Sequence, residues 1–160
     1  MTRAKFGRRT LDAIGPVLDQ WLVRPHGFLT FRLAQELTGH GCFGSYLHRI
    51  GRVESPLCHK CGAADDTVQH PRGLHRLGGA AVLTAVVGRD LSLPSLVNAM
   101  LGSEGCWKAV ASFCEEVILQ KEAAEREREN DPFASSLRRR RKGWRRRLYD
   151  RSTLPPGGGQ

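Results

Sequence analysis

The chain has few of the features that membrane, secreted and common enzyme classes require. No apolar run reaches the roughly 18 residues of a membrane span. The opening segment MTRAKFGRRTLDAIG is basic but has no apolar stretch of signal-peptide kind, which predicts an intracellular protein with no membrane partner. Cysteines number 5, an odd count, and a reducing compartment disfavours a disulfide framework; Cys42, Cys106 and Cys114 are expected to be reduced core thiols. Strand signals are scarce, and repeats are absent. Catalytic signatures are missing too. The stretch PLCHKC resembles half of a zinc-deaminase motif, but no H-x-E triplet exists to move protons. There is no zincin helix, no P-loop and no G-x-S-x-G. The adjacent carboxylates Asp65 and Asp66 read as a solvated turn. The chain is therefore expected not to be an enzyme and to have no small-molecule substrate. Its 160 residues suit one small domain with tails.

What is present is concentrated. The stretch CHKCGAADDTVQHPRGLH, residues 58–75, sets Cys58 and Cys61 in a C-x2-C pair, with His70 eight residues on and His75 four beyond that. Two thiolates and two imidazoles suit zinc, and a closed set of four donors with no open position implies a structural ion. Gly62 relieves the backbone just after Cys61. The eight-residue gap is short for a DNA-reading finger, where about twelve residues separate the pairs, so a compact knuckle is expected instead of a recognition helix. His59, inside the turn, is expected to point to solvent.

Positive charge is concentrated as well. The run RRRRKGWRRRLYDR, Arg138 to Arg151, holds nine basic residues and one acid, a balance of +8 out of the net +9. Such a run repels itself and is expected to stay disordered until it meets a polyanion. Arg138, Arg139, Arg140, Arg141, Lys142, Arg145, Arg146 and Arg147 are the candidate phosphate contacts, with Trp144 placed among them to stack on unpaired bases. A nuclear-localisation signal fits the same residues and is compatible with that role.

Periodicity makes the rest helical. Leu11, Ile14, Leu18, Trp21 and Leu22 predict an inward-facing helix interrupted near Gly15-Pro16. Phe28, Phe31, Ala34 or Gln35, and Leu37 predict a second helix stopped by Gly39 and Gly41; Phe43, Tyr46, Leu47 and Ile50 predict a third, with these aromatics in the core. The segment RLGGAAVLTAVVGRD is open to either strand or helix. Beyond it, Leu93, Leu96, Val97, Met100 and Leu101 form a stripe behind Pro94. A last helix from about Glu104 carries Trp107, Val110, Cys114, Val117 and Ile118, then runs on as a solvated extension to Asn130-Asp131-Pro132. The expected architecture is mainly α: helices over 1–57, a knuckle over 58–75, helices over 76–131, and a disordered arginine-rich tail over 132–160.

The stretch HGFLTFRLAQELTGHGCFGSYLHRIGRVESPLCHKCGAADDTVQH resembles the region near the C-terminus of the reverse-transcriptase polyprotein of insect non-LTR retrotransposons, above all the clade that inserts into ribosomal RNA genes. LTGHGCFGSYLHRIG is its most specific part. LTAVVGRDLSLPSLVNAMLGSEGCWKAVASFCEEVILQKEAAERERENDP, followed by the arginines, also looks like that clade's end. The resemblance implies a piece of the polyprotein lacking the polymerase and endonuclease domains, a nuclear module that holds template RNA or target DNA. In the family pattern a Cys-Pro supplies the fourth ligand; here HPRGLHRLGGAAV follows, with His75 at the fourth-ligand spacing. Two alternatives stand beside this reading: a relic reading frame without a role, and a nuclear protein-interaction adaptor.

Overall fold

The computed structural model describes residues 7–59, 61–62, 66 and 78–138. It is mainly helical, and no strand occurs among the described residues. In chain order come α1 (Arg8–Ile14), a 3-10 turn (Gly15–Val17), α2 (Leu18–Val23), α3 (Phe31–Thr38), α4 (Gly44–Arg49), α5 (Gly78–Val87), α6 (Leu93–Gly102) and α7 (Glu104–Asn130). Helix α7 is the spine: α6, α5 and α3 pack along it, and α1 packs on α6. None of the described helices is long and apolar enough to cross a membrane.

The expected break at Gly15-Pro16 is the 3-10 turn, with Pro16 in its first positions. The expected inward face holds for Trp21 and in part for Ile14, and fails for its three leucines. Leu11, Leu18 and Leu22 are exposed, while Ala13 and Trp21 are buried and Ile14 and Val17 pack beside them. Two polar side chains set that phase. The Arg9 Nη1 group donates to the carbonyls of Glu36 (2.7 Å) and Leu37 (3.3 Å), and the Thr10 hydroxyl donates to Leu37 at 3.1 Å. They satisfy the last carbonyls of α3, at the negative end of its dipole. With Arg9 and Thr10 turned inward, Ala13, Ile14 and Val17 follow them at helical spacing, and Leu11 falls outside.

Helix α3 starts at Thr30, whose hydroxyl accepts from the Leu33 amide at 3.1 Å, and stops at Gly39 in the left-handed conformation (φ 70°). It buries Leu33, Glu36 and Leu37. The aromatics expected in the core stay out, Phe28 at 81 % and Phe31 at 75 % exposure. In α4 the expected face holds for Phe43 and Leu47, both buried, and in part for Tyr46, whereas Ile50 is exposed.

The ambiguous segment after residue 77 is helix α5, with Leu83 fully buried. Helix α6 begins at Leu93 with Pro94 in its first turn and buries Leu93, Leu96, Val97 and Met100, as its stripe predicts. Helix α7 is capped by the Ser103 hydroxyl on the Cys106 amide (3.1 Å) and buries Trp107, Val110, Phe113, Cys114, Val117 and Ile118. Trp21 packs against Trp107 at 5.3 Å between ring centroids, and the Arg24 guanidinium lies over both rings at 4.5 and 4.6 Å. Gly27 presses on the other part of this stack. Its φ is +88°, and a Cβ there would come within 2.2 Å of the Trp107 ring, so only glycine fits.

Two expectations for the end of the chain are corrected. The extension of α7 beyond Ile118 is not solvated all round, because Glu125 is buried. Residues 132–138, assigned from sequence to a disordered tail, make turns: the Ala134 amide donates to Asp131 and the Arg138 amide to Ser135, each at 3.0 Å. A buried carboxylate explains the return, since Glu125 requires cations. Arg128 Nη2 reaches its Oε2 at 2.8 Å and Arg138 Nε its Oε1 at 3.0 Å.

Candidate metal and nucleic-acid site

The two cysteines sit in one tight turn. The Gly62 amide donates to the Cys58 carbonyl at 2.7 Å, with Gly62 at φ +69°, which is the relief that its position after Cys61 suggests. Cys58 is buried and Cys61 exposed, and no disulfide joins any two of the five cysteines. Cys114 lies in the core as expected, while Cys42 and Cys106 are only half-buried. His70 and His75 lie outside the described residues. Among the described residues no group of three metal-ligating side chains comes together. The donor chemistry of Cys58 and Cys61, two thiols offered from one turn, suits half of a tetrahedral zinc site.

What holds this turn is Asp66. Its amide donates to the Pro56 carbonyl (2.9 Å), and its carbonyl accepts from the Ser45 amide (3.2 Å) and hydroxyl (3.0 Å). Its carboxylate accepts from the Gly44 amide at 2.9 Å through Oδ2 and from Lys121 Nζ at 2.6 Å through Oδ1. The side chain thus caps α4 and ties the cysteine segment to α7. The expectation of a solvated turn at this position fails: Asp66 is 5 % exposed. Asp65 is outside the described residues. Gly44 allows the contact, because a Cβ there would lie 2.9 Å from the Pro56 carbonyl and 3.1 Å from that of Leu57.

His59 is exposed, as expected, yet engaged. Its Nε2 lies 3.0 Å from Arg138 Nη2. Partial burial and then the nearby Arg128 and Arg138 lower its pKa. Arg138, the first of the candidate phosphate contacts, is thus shared between Glu125 and His59, with its side chain only 15 % exposed. Its carbonyl also accepts from Arg52 Nη2 at 3.4 Å, and Arg52 pairs with Glu129. The remaining candidates, Arg139, Arg140, Arg141, Lys142, Trp144, Arg145, Arg146 and Arg147, lie outside the described residues.

Sequence reasoning missed Asp66, Lys121 and Glu125. A signal existed for the last two. The core stripe of α7, through Cys114, Val117 and Ile118, continues at the same spacing into Lys121, Glu122, Glu125 and Glu129, so these charges face the body of the protein. Glu122 and Glu115 likewise take Arg32 of α3, at 3.1 and 2.6 Å. An open groove of about 770 Å³ runs between the α2–α3 loop and the first turns of α7, past Leu22, Arg24, His26, Phe28, Trp107 and Lys108. Comparison with protein-family models, curated proteins and solved structures finds no match to this chain.

Proposed function

We propose that the chain is a zinc-stabilised nucleic-acid-binding module of the kind found near the C-terminus of non-LTR retrotransposon reverse-transcriptase polyproteins. It acts in the nucleus on template RNA or target DNA and has no catalytic role of its own. The observation that carries this reading is the 3.0 Å contact between Arg138 and His59. It fixes the root of the arginine-rich run beside the Cys58–Cys61 turn, so that arm and knuckle address one ligand together. Cys58, Cys61, His70 and His75 supply a closed ligand set, which serves shape and leaves no position for substrate. The arm from Arg139 to Arg147 neutralises phosphates and releases counterions, and Trp144 stacks on a base.

The test has two parts. Zinc measured by mass spectrometry on protein purified without chelator is expected near one equivalent, and to be lost in a Cys58→Ser, Cys61→Ser double variant. Equal zinc in both proteins removes the site. Affinity for nucleic acid is expected to fall steeply with added salt, and the slope to shrink when residues 139–147 are deleted. Unchanged affinity after that deletion favours a protein-interaction adaptor, to which the exposed Leu22, Phe28 and Phe31 lend support. A relic frame would lack a cooperative urea transition.

A further inference from the structure

The loop between α2 and α3 is pinned along its inner side. The Trp107 indole donates from Nε1 to the Phe28 carbonyl at 3.2 Å, and His26 Nε2 lies 2.9 Å from the Met100 carbonyl. Gly27 presses on the Trp107 ring, and Arg24 donates from Nη1 to the Trp21 carbonyl while lying over both indoles. Residues 24, 26, 27 and 28 are thus each tied to the body of the protein. The Phe28 side chain is nevertheless left exposed, with Leu22 and Pro25 lining the same open groove. Scattered apolar side chains are ordinary on a surface; several along one groove mark a place where something binds. Because the loop is already fixed, docking there has little backbone to order.

The charge of the lining selects the ligand. Lys108 pairs with Glu104 at 2.8 Å, both largely exposed, so these two charges offset each other. Arg24 has no carboxylate partner among the described residues: its Nη1 is taken by a carbonyl, and its Nε is buried without a hydrogen-bond partner. The groove therefore carries an excess positive charge next to apolar walls, which suits a carboxylate flanked by apolar side chains. One uncompensated cation is little for a nucleic acid, whose affinity grows with the number of phosphates neutralised. The groove also lies away from the root of the basic arm. Lys108 and Glu125 are separated along α7 by roughly 25 Å, at about 1.5 Å of rise per residue.

We propose that this groove docks an acidic peptide segment of a partner protein, with an apolar side chain against Leu22 and Phe28 and a carboxylate on Arg24. Phe28 is the anchor, a large apolar surface on a fixed backbone, and Lys108 at the rim steers the approaching acid. The surface is separate from the Arg138–His59 contact, so a protein partner at one end of α7 leaves the basic arm at the other end free to act. The inference therefore stands independently of the nucleic-acid reading.

Phage displaying random dodecapeptides are selected on the immobilised full-length protein, and an enriched peptide, fluorescently labelled, is titrated by anisotropy. Enriched sequences are expected to carry Asp or Glu beside Leu, Phe or Trp. Phe28→Ser should bind the peptide about tenfold more weakly. Lys108→Glu should weaken it several-fold at low salt and hardly at all at high salt, as a rim charge does. Val82→Ser, at an exposed position of α5 outside the groove, should bind as the wild type does, and so should the protein lacking residues 139–147. No enrichment, enriched peptides without acids, or an equal loss in Val82→Ser overturns the inference. Loss of the peptide on deleting 139–147 overturns it too, by assigning acidic peptides to the arm. Weakened oligothymidylate binding in Phe28→Ser would give the groove to nucleic acid instead. A wild-type dimer in sedimentation that Phe28→Ser dissociates would give it to a second copy of the chain.

Discussion

Two buried carboxyl groups near the α3–α7 contact meet opposite fates. Asp66 accepts from Lys121 and the Gly44 amide, whereas the Oε2 atom of Glu36 is buried with no hydrogen-bond partner among the described residues. Burial pushes the Glu36 pKa up to about 8; the charges of Arg9 and Lys121 oppose the rise, and that of Asp66 adds to it. In the unfolded chain the same group ionises near its ordinary value of 4.5. Below that value both states hold the proton, and its stabilising effect on the fold is complete. As pH rises toward 8 the unfolded chain releases the proton and the folded protein keeps it, so stability falls by up to about 1.4 kcal/mol per pH unit, then levels off. Replacing Glu36 with Gln should remove this component. Urea denaturation at pH 5 and pH 8 is expected to show the variant gaining on the wild type as pH increases. An equal difference at both pH values would mean that Glu36 is solvated or paired.

At the scale of elements, periodicity identified the helices except α5, which it left open between strand and helix, and hydrophobicity alone misjudged which way several of them face. In α6 and the first half of α7 no polar residue competes for the interior, and the apolar stripe coincides with the buried one. In α1 the phase is set by Arg9 and Thr10 reaching the end of α3, and in α3 by Glu36 going inside next to Leu33 and Leu37. Such partners lie 27 or 28 residues away in sequence, beyond the reach of any local pattern. The same holds for the site: the cysteine turn and its Gly62 were legible because they are local, and Asp66 was not, because its partners are Gly44 and Lys121. The observed phase is testable on α3. Leu33→Ala should lose about 2–5 kcal/mol of stability through the cavity it leaves. Phe31→Ser, by contrast, should stay within about 0.5 kcal/mol of the wild type, as exposed positions do. Urea midpoints that reverse this order would restore the face read from apolar periodicity.

For the molecule as a whole, the arginine-rich run divides at its first residue. Arg138 is structural: it shares Glu125 with Arg128, contacts His59, and has a mostly buried side chain. A guanidinium held by a buried carboxylate is not available to phosphate, so under the proposed function the phosphate contacts begin beyond Arg138. The two parts should separate experimentally. Arg138→Ala leaves Glu125 with a single cation and detaches the arm from the cysteine turn; it should cost about 1–3 kcal/mol of stability. The salt dependence of nucleic-acid binding should stay that of the wild type, because no phosphate contact is lost. Deleting residues 139–147 should do the reverse, keeping the melting temperature and flattening the salt dependence. The sharper consequence concerns geometry. If the anchor serves to hold the arm beside the cysteine turn, Arg138→Ala should weaken binding several-fold at every salt concentration, a parallel shift of the line instead of a change in its slope. Should Arg138→Ala lower the slope and leave the melting temperature untouched, Arg138 belongs to the arm, and its contacts with Glu125 and His59 do not hold the two halves of the site together.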